Sequence, residues 1–331
     1  MSKIRIGFIG CGGMARHHGR VFVGQVPDAQ IVALCDTSKQ SLESFVGDVF
    51  KNTKERPKNY SDYKQMLKKE KLDGVIIVSP HTIHGAQILD SLAAGVHVLV
   101  EKPMVTSVLE AHKVIAAQKK TGLTVSISFQ GVHSREFAYI RKIIREGQLG
   151  KINLISAVVT QNWQKPLQGS WRLDPKLSGG GQAYDSGAHM FSAILNLSGL
   201  WPEEIFAFIN NQGEKVDIIT AATIKFAGGC LATAAVSGDT RQMREGVYIS
   251  GPEGSVDTAI YGGRLEQWDK NGRVQYPVVP PTATPQQNLV DCIRGRGTTP
   301  AAPELGLRQA LVMEALYKSA ATGKPVKVAK S

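Results

Sequence analysis

One stretch decides the fold of this chain: Ile4-Arg5-Ile6-Gly7-Phe8-Ile9-Gly10-Cys11-Gly12-Gly13-Met14-Ala15. The residues up to Ile9 predict a buried strand, and the next six follow the pattern Gly-x-Gly-x-x-Ala, which predicts a tight turn into a helix. Gly10 permits the turn, Gly12 leaves room for a ligand, and Ala15 lets the helix pack on the strand. The helix N-terminus then offers N–H groups and the positive end of its dipole to an anion. The predicted dinucleotide-phosphate site consists of Gly10, Gly12, Gly13, Met14 and Ala15.

A second apolar run supports this interpretation. Residues 30–35 predict another strand, and it ends in Asp36, 21 residues beyond Ala15. An acidic residue about 20 residues beyond the glycines binds the adenosine ribose hydroxyls in dinucleotide sites. Its charge repels a 2′-phosphate, so NAD is expected rather than NADP. The alternative is a glycine turn beside an aspartate that only caps a helix.

Helix-like and strand-like segments alternate after Asp36. Strands are predicted at 72–78, 96–100 and 123–128, and a helix at 83–94 ends at Gly95. Apolar strands separated by helices indicate a parallel sheet covered on both faces, and ligands bind beyond the strand C-termini in such sheets. The residues that follow these strands and are expected to join the cofactor site are Ser79, Pro80, His84, Glu101 and Lys102.

The second half of the chain has a different pattern. Strand-like runs at 152–161, 204–211, 217–226, 230–237 and 246–250 are joined by short turns, which favours antiparallel pairing. Helices at 185–197, 285–294 and 304–322 are expected to cover one face of this sheet. The other face is expected to carry Ile218, Ile224, Leu231 and Val247, and to form a homodimer or homotetramer. The predicted domains are 1–124 and 125–331.

Composition restricts the class of protein. The 331 residues include 42% hydrophobic and 20% charged residues, as in ordinary globular proteins with room for two domains. The scattered Cys11, Cys35, Cys230 and Cys292 predict reduced thiols in a cytoplasmic protein, with neither a disulfide framework nor a metal site. No apolar run reaches membrane-span length, and a core strand starts at once, so no membrane span or secretory signal is expected.

The net charge of +11 raises the question of nucleic-acid binding. The basic residues lie in separate groups, interleaved with apolar positions as on solvated helix faces, and no nucleic-acid motif accompanies them. We therefore expect no nucleic-acid partner. The positive charge is expected to surround an anionic cofactor.

Several motifs together resemble the glucose–fructose oxidoreductase/inositol dehydrogenase/MocA-like (Gfo/Idh/MocA) family. They are the glycine fingerprint, Ser-Pro-x-x-x-His at 79–84, Glu-Lys-Pro at 101–103, Trp171-Arg172, Gly179-Gly180-Gly181 and Asp185-x-x-x-His189. The resemblance implies an α/β protein: an N-terminal Rossmann domain with a doubly wound parallel sheet, and a C-terminal α+β domain with a large, mainly antiparallel open sheet. It also implies a nicotinamide cofactor, a sugar or cyclitol substrate, a cis bond before Pro103 and a C-terminal helix packing back near the first domain.

The catalytic candidates are Lys102, Asp185 and His189. Hydride transfer from an alcohol needs a group that steadies the oxygen and a base that takes the proton. By resemblance, Lys102 faces the reacting centre; the alternative is a solvated lysine before a turn-forming proline. Asp185 and His189 are four residues apart, which predicts one helix face, with His189 as proton acceptor and Asp185 tuning it or holding substrate. The alternative for this pair is a surface contact.

Further residues are candidates for the predicted substrate site, each with a structural alternative. A guanidinium at Arg172 can bind hydroxyls, and an indole at Trp171 can stack on a sugar face. Ordinary packing is the alternative for each, and a core or capping histidine is the alternative for His84. The substrate-binding residues predicted beside the catalytic three are Gln130, His133, Trp163, Trp171 and Arg172.

These observations predict an NAD-dependent oxidoreductase. The expected reaction transfers a hydride between nicotinamide and a secondary hydroxyl, or matching ketone, of a sugar, cyclitol or related polyol. One alternative is a glycosidase that keeps and recycles its NAD, and another is a non-catalytic NAD-binding regulator. The retained Lys102, Asp185 and His189 weigh against the regulator.

Overall fold

The computed structural model describes residues 2–53, 56–275 and 279–330. The chain forms two compact units. The first unit contains the chain up to Val105, Leu109–Ser128 and Ala283–Glu304. The second contains Thr106–Val108, Phe129–Thr282 and the chain from Leu305 onward.

Regular elements run through both units. The helices are α1 (Gly13–Gln25), α2 (Lys39–Val49), α3 (Tyr63–Lys69), α4 (His84–Ala93), α5 (Val108–Thr121), α6 (Arg135–Arg145), α7 (Pro175–Ser178), α8 (Gly187–Ser198), α9 (Pro285–Ile293) and α10 (Pro303–Thr322). The strands are β1 (Ile4–Ile9), β2 (Ala29–Cys35), β3 (Lys58–Tyr60), β4 (Gly74–Ile77), β5 (His97–Val100), β6 (Val125–Ile127), β7 (Leu154–Asn162), β8 (Pro202–Asn210), β9 (Ile219–Phe226), β10 (Leu231–Ser237), β11 (Asp239–Gly251), β12 (Gly254–Thr258), β13 (Leu265–Asp269), β14 (Gly272–Arg273) and β15 (Val326–Lys327). None of the helices in the described ranges is long and apolar enough to cross a membrane.

The first unit is built on a six-stranded sheet in the order β3-β2-β1-β4-β5-β6. Its strands are all parallel, and this order is that of doubly wound dinucleotide-binding folds. Every residue of β4 is buried, as expected for a strand covered on both faces. The Phe8 ring of β1 packs edge-on against Phe22 of α1 and Phe45 of α2, at centroid distances of 6.1 and 5.1 Å. The predicted Rossmann fold is confirmed.

The structure divides the chain differently from the predicted boundary at 124/125. Strand β6 pairs with β5 and so belongs to the first sheet. Helix α9 packs against β5, β6 and α1, and its Leu289 and Val290 share a core with Phe8. The prediction that this helix covers the second sheet is therefore wrong. The apolar face of this helix could pack on either sheet. No local sequence pattern indicates on which of the two sheets a helix near the C-terminus packs.

The second unit contains a nine-stranded sheet in the order β14-β13-β12-β11-β7-β10-β9-β8-β15. Among the strands that the structure describes, only β7 and β10 pair in parallel. The other pairs are antiparallel, which confirms the mainly antiparallel prediction. Helix α8 packs against β7, β10 and β11, and nearly all of its residues are buried. Helix α10 lies almost wholly in this unit.

The predicted outward face of this sheet needs correction. Ile218, Ile224 and Val247 are at most 2% exposed, and only Leu231, at 56%, points outward. Successive strand residues alternate between faces, so an offset of one residue moves a side chain to the other side. The outer face, as the burial pattern defines it, carries Leu154, Ser156, Val158, Phe206, Phe208, Ala221, Thr223, Leu231, Thr233 and Ala235.

Candidate active site

The glycine turn after β1 has the geometry of a phosphate site. Gly10 has a φ of +90°, and a methyl group there would lie 2.5 Å from the Val78 carbonyl oxygen, so glycine is required. A methyl group at Gly12 or Gly13 would meet no atom of the described chain within 4 Å. Helix α1 starts at Gly13 with no side chain capping it, which leaves its N-terminal N–H groups for an anion. Ala15 is buried beneath this turn, and Met14 is exposed.

Asp36 lies beside that turn. Its Oδ2 accepts the N–H of Cys11 at 2.7 Å, and its Oδ1 accepts the N–H of Ser38 at 2.8 Å. The carboxylate thus ties the turn after β1 to the turn after β2. A carboxylate oxygen accepts more than one hydrogen bond, so Asp36 retains capacity for ribose hydroxyls. The open space at the glycines and this acceptor fit NAD.

His84 links the two loops predicted at the cofactor edge. Its Nδ1 lies 2.9 Å from the Pro103 carbonyl oxygen, and its Nε2 lies 2.9 Å from that of Ser79. Burial lowers the pKa of His84, outweighing the two carbonyls, which favour the charged ring. His84 therefore has the surroundings of a core histidine that holds two segments together. Pro80 follows Ser79 and precedes the short 3₁₀ turn that leads into α4. The Lys102–Pro103 bond is cis, as the resemblance implies.

Glu101 is held by residues that the sequence reasoning missed. Its Oε1 lies 2.7 Å from His18 Nε2, and His18 Nδ1 lies 2.7 Å from the Gln286 amide nitrogen. With Gln286 donating to Nδ1, the proton on Nε2 is donated to the carboxylate. The other Glu101 oxygen accepts the N–H of Lys102 at 3.2 Å. This buried chain fixes the segment that carries Lys102. His18 lies one turn beyond Ala15 on α1, which is the signal that could have found it.

In the second unit, Asp185 lies outside helix α8, although the predicted helix at 185–197 included it. Helix α8 begins at Gly187, and Asp185 precedes it in a turn, so the prediction that Asp185 and His189 share one helix face is wrong. The glycines at 179–181 bend the chain there, and the N–H of Asp185 bonds to the Gly181 carbonyl at 3.0 Å.

The Asp185 carboxylate joins several predicted substrate residues. Its Oδ2 accepts Trp163 Nε1 at 2.7 Å and Arg172 Nε at 3.0 Å, and Asp185 and Trp163 are both buried. The Arg172 guanidinium lies 4.6 Å from the centroid of the Trp171 ring, within cation–π range. A carboxylate, a guanidinium and two indoles therefore form one cluster, a set of groups that suits a polyhydroxylated ring.

His189 lies on α8 among aromatic rings. Its ring centroid is 6.0 Å from that of Phe129 and 4.8 Å from that of Tyr261. Tyr261 was not predicted, because it follows β12, far from His189 in sequence. Of the remaining candidates, Gln130 is exposed on the turn before α6, and His133 is buried in it.

A buried carboxylate also supports the glycine segment that leads to Asp185. Asp217, 2% exposed, accepts the N–H of Gly181 at 2.7 Å and that of Ala183 at 2.8 Å. It also accepts the hydroxyl of Tyr317, whose pKa burial raises well above its usual value. No sequence pattern indicates this role, since Asp217 is only an acidic residue at the start of a predicted strand.

Comparison with known proteins identifies the family. Residues 4–129 match the GFO_IDH_MocA model, described as an oxidoreductase family with an NAD-binding Rossmann fold, and residues 137–257 match the GFO/IDH/MocA C-terminal domain. The chain belongs to the Gfo/Idh/MocA oxidoreductase family, and its first unit is an NAD-binding Rossmann domain.

Individual relatives are distant. The chain is 24% identical over 281 residues to a 1,5-anhydro-D-fructose reductase of Ensifer adhaerens, covering 82% of this chain and 84% of that protein. It is 24% identical over 305 residues to a glycosyl hydrolase family 109 protein of Shewanella baltica, covering 89% of this chain but 62% of that protein. The WlbA dehydrogenase of Bordetella pertussis, solved with NADH and UDP-GlcNAcA, is similar in fold, with a TM-score of 0.86 at 21% identity over 99% of this chain and all of that one.

Proposed function

We propose that this oxidoreductase transfers a hydride between NAD and a secondary hydroxyl, or the matching ketone, of a sugar, cyclitol or related polyol. The Asp185 cluster carries the proposal, because a carboxylate paired with Trp163 and Arg172 beside Trp171 offers acceptors, donors and a stacking surface to a polyhydroxylated ring. Two similar proteins support the same substrate class, since one is a 1,5-anhydro-D-fructose reductase and the other is a dehydrogenase solved with UDP-GlcNAcA.

The chain's own residues take the following roles in this proposal. NAD, held at the glycine turn and Asp36, would supply the acceptor or donor of the hydride exchanged with the carbinol carbon. Lys102 donates a hydrogen bond to the substrate oxygen and stabilises negative charge there, on a segment fixed by Glu101 and His18. His189 takes the hydroxyl proton at a ring nitrogen and gives it back in the reverse direction. Asp185 binds a neighbouring hydroxyl. Gln130 and His133 remain candidates for further substrate contacts.

The cofactor preference is part of the proposal. NAD is preferred to NADP because the Asp36 carboxylate accepts ribose hydroxyls and repels a 2′-phosphate.

A substrate panel tests the proposed reaction. The purified protein is incubated with NAD and a set of sugars, cyclitols and polyols, and NADH formation is followed by absorbance. We expect NADH with at least one member and its loss in His189→Ala. NAD binding without NADH from any member would contradict the proposal.

A second candidate, an NAD-recycling glycosidase, is favoured by the similarity to glycosyl hydrolase family 109 proteins, of whose length the chain spans about 62%. It predicts NAD that copurifies with the protein and release of an aglycone from glycosides without net NADH. The same panel, extended with nitrophenyl glycosides, separates the two activities.

We also propose that the protein forms a homodimer through the outer face of the second sheet, a homotetramer being the other expected assembly. This face combines exposed Phe208 and Leu231 with small Ser, Thr and Ala side chains, so a second copy could lie flat against it. Light scattering should give twice the chain mass or more, and Phe208→Glu should lower it. A monomeric unmutated protein would contradict the proposal.

A further inference from the structure

The turn after β12 is held rigidly from two sides. The N–H of Ile260 donates to Glu245 Oε2 at 2.5 Å, and the N–H of Gly262 donates to the Ala259 carbonyl at 3.2 Å. A methyl group at Gly131 would lie 2.2 Å from the Ile260 carbonyl oxygen. One at Gly262, whose φ is +84°, would lie 2.5 Å from a Ser134 side-chain carbon. The backbone around residue 261 therefore has little freedom.

Tyr261 projects from this turn to His189. Their ring centroids are 4.8 Å apart with the planes tilted by 58°, which is contact distance for two aromatic rings. The fixed turn thus sets the position of the phenol next to the proposed base.

The hydroxyl of Tyr261 is open to a ligand. It has no hydrogen-bond partner among the residues that the structure describes. Several other partly or fully buried tyrosines do bond through their hydroxyls, among them Tyr63, Tyr139, Tyr184 and Tyr317. The ring of Tyr261 is half-buried against His189 while its unbonded hydroxyl remains accessible, so this hydroxyl is placed to bond to a ligand at His189.

The electrostatic surroundings determine which partner fits. Burial, together with the carboxylates of Asp185 and Glu245, raises the pKa of Tyr261 to about 12. The phenol therefore stays protonated at neutral pH and acts as a hydrogen-bond donor. Its complement is an oxygen acceptor.

We propose that Tyr261 is a specificity-determining residue that donates a hydrogen bond to a second substrate oxygen, on a carbon next to the one that reacts at His189. The preferred substrate is then a vicinal diol or a hydroxyketone rather than an isolated secondary alcohol. This inference rests on the proposed function, because it takes the ligand at His189 to be a polyol.

Binding measurements test the inference independently of turnover. Calorimetry compares a vicinal polyol from the panel with its deoxy analogue, each titrated into the NADH complex of the protein. The unmutated protein should bind the polyol about 5- to 15-fold more tightly, as expected for one neutral hydrogen bond. Tyr261→Phe keeps the ring and should reduce this preference to about twofold or less.

The control is Tyr139→Phe, which removes a hydroxyl bonded to Gln267 in the same unit and should leave the preference unchanged. An unchanged preference in Tyr261→Phe would overturn the inference, as would a failure of any polyol to bind the unmutated protein. Polyol binding that depends on Tyr261, without NADH formation by any panel member, would support the inference and contradict only the proposed reaction.

Discussion

Replacing Asp217 by Asn tests how the glycine segment before Asp185 is held. Asp217 is buried and receives the N–H groups of Gly181 and Ala183 at 2.7 and 2.8 Å, together with the hydroxyl of Tyr317. A fourth contact, from Thr220 Oγ1 at 3.5 Å, is too long to contribute much. Three strong bonds therefore meet on one carboxylate.

The expected loss of stability follows from the fact that an asparagine side chain has a single acceptor oxygen. Asn offers one oxygen in place of two, so at least one backbone N–H faces an NH₂ group and loses its acceptor. Hydrogen bonds to charged groups contribute about 1.5–3 kcal/mol each, and the remaining bonds lose the charge as well. We expect the variant to be destabilised by about 2–4 kcal/mol.

Hydrogen exchange at the two amides is the sharpest assay. If the loss is local, protection of Gly181 and Ala183 should fall by roughly 30- to 700-fold, since about 1.4 kcal/mol corresponds to a factor of ten. The control is Asp269→Asn, an exposed carboxylate that accepts the N–H of Asn271 at 2.7 Å, with an expected change within about 0.5 kcal/mol. Unchanged protection at both amides in Asp217→Asn would show that the Asp217 carboxylate does not hold this segment.

Three further predictions concern the first unit. Lys102→Met should lower turnover by about 10²- to 10⁴-fold and leave NAD affinity nearly unchanged in a titration; near-normal turnover would remove this lysine from the mechanism. Asp36→Ala should weaken NAD binding by about 10-fold or more, because an acceptor for the ribose is lost and the Cys11 N–H loses its partner. Equal NAD and NADP affinities in the unmutated protein would contradict that assignment. Burial and the nearby Asp36 carboxylate raise the pKa of Cys11 strongly and that of Cys35 to about 12, so a thiol reagent at neutral pH should spare both until the protein unfolds. Rapid labelling of either in the native protein would count against this.

Much of the first unit was predictable because its signals are local. The glycine turn, the apolar strands and Asp36 each depend on a few neighbouring residues, and the structure brings the glycines and Asp36 together as expected. The boundaries of most strands in the second unit were predicted to within a few residues for the same reason.

The predictions that failed concern features that depend on contacts between residues distant in sequence. The four-residue spacing of Asp185 and His189 predicts a shared helix face, but the glycines before Asp185 and its bonds to Trp163 and Arg172 hold it in a turn instead. The predicted outward placement of Ile224 in the second sheet was likewise wrong, because the alternation along β9 does not indicate which set of side chains faces the helices.

The residues that the sequence did not indicate share one property. His18, Asp217 and Tyr261 each act through a partner more than thirty residues away, so no spacing rule connects them to the motifs. Their roles emerge only when packing places them beside Glu101, Gly181 and His189.

Hydride transfer between a polyol carbon and NAD can be followed with deuterium. A substrate from the panel, deuterated at the reacting carbon, is incubated with the protein and NAD, and the recovered cofactor is analysed by mass spectrometry. We expect one deuterium in NADH for each ketone formed. Ketone or other product formation with no deuterium ever entering the cofactor would contradict it.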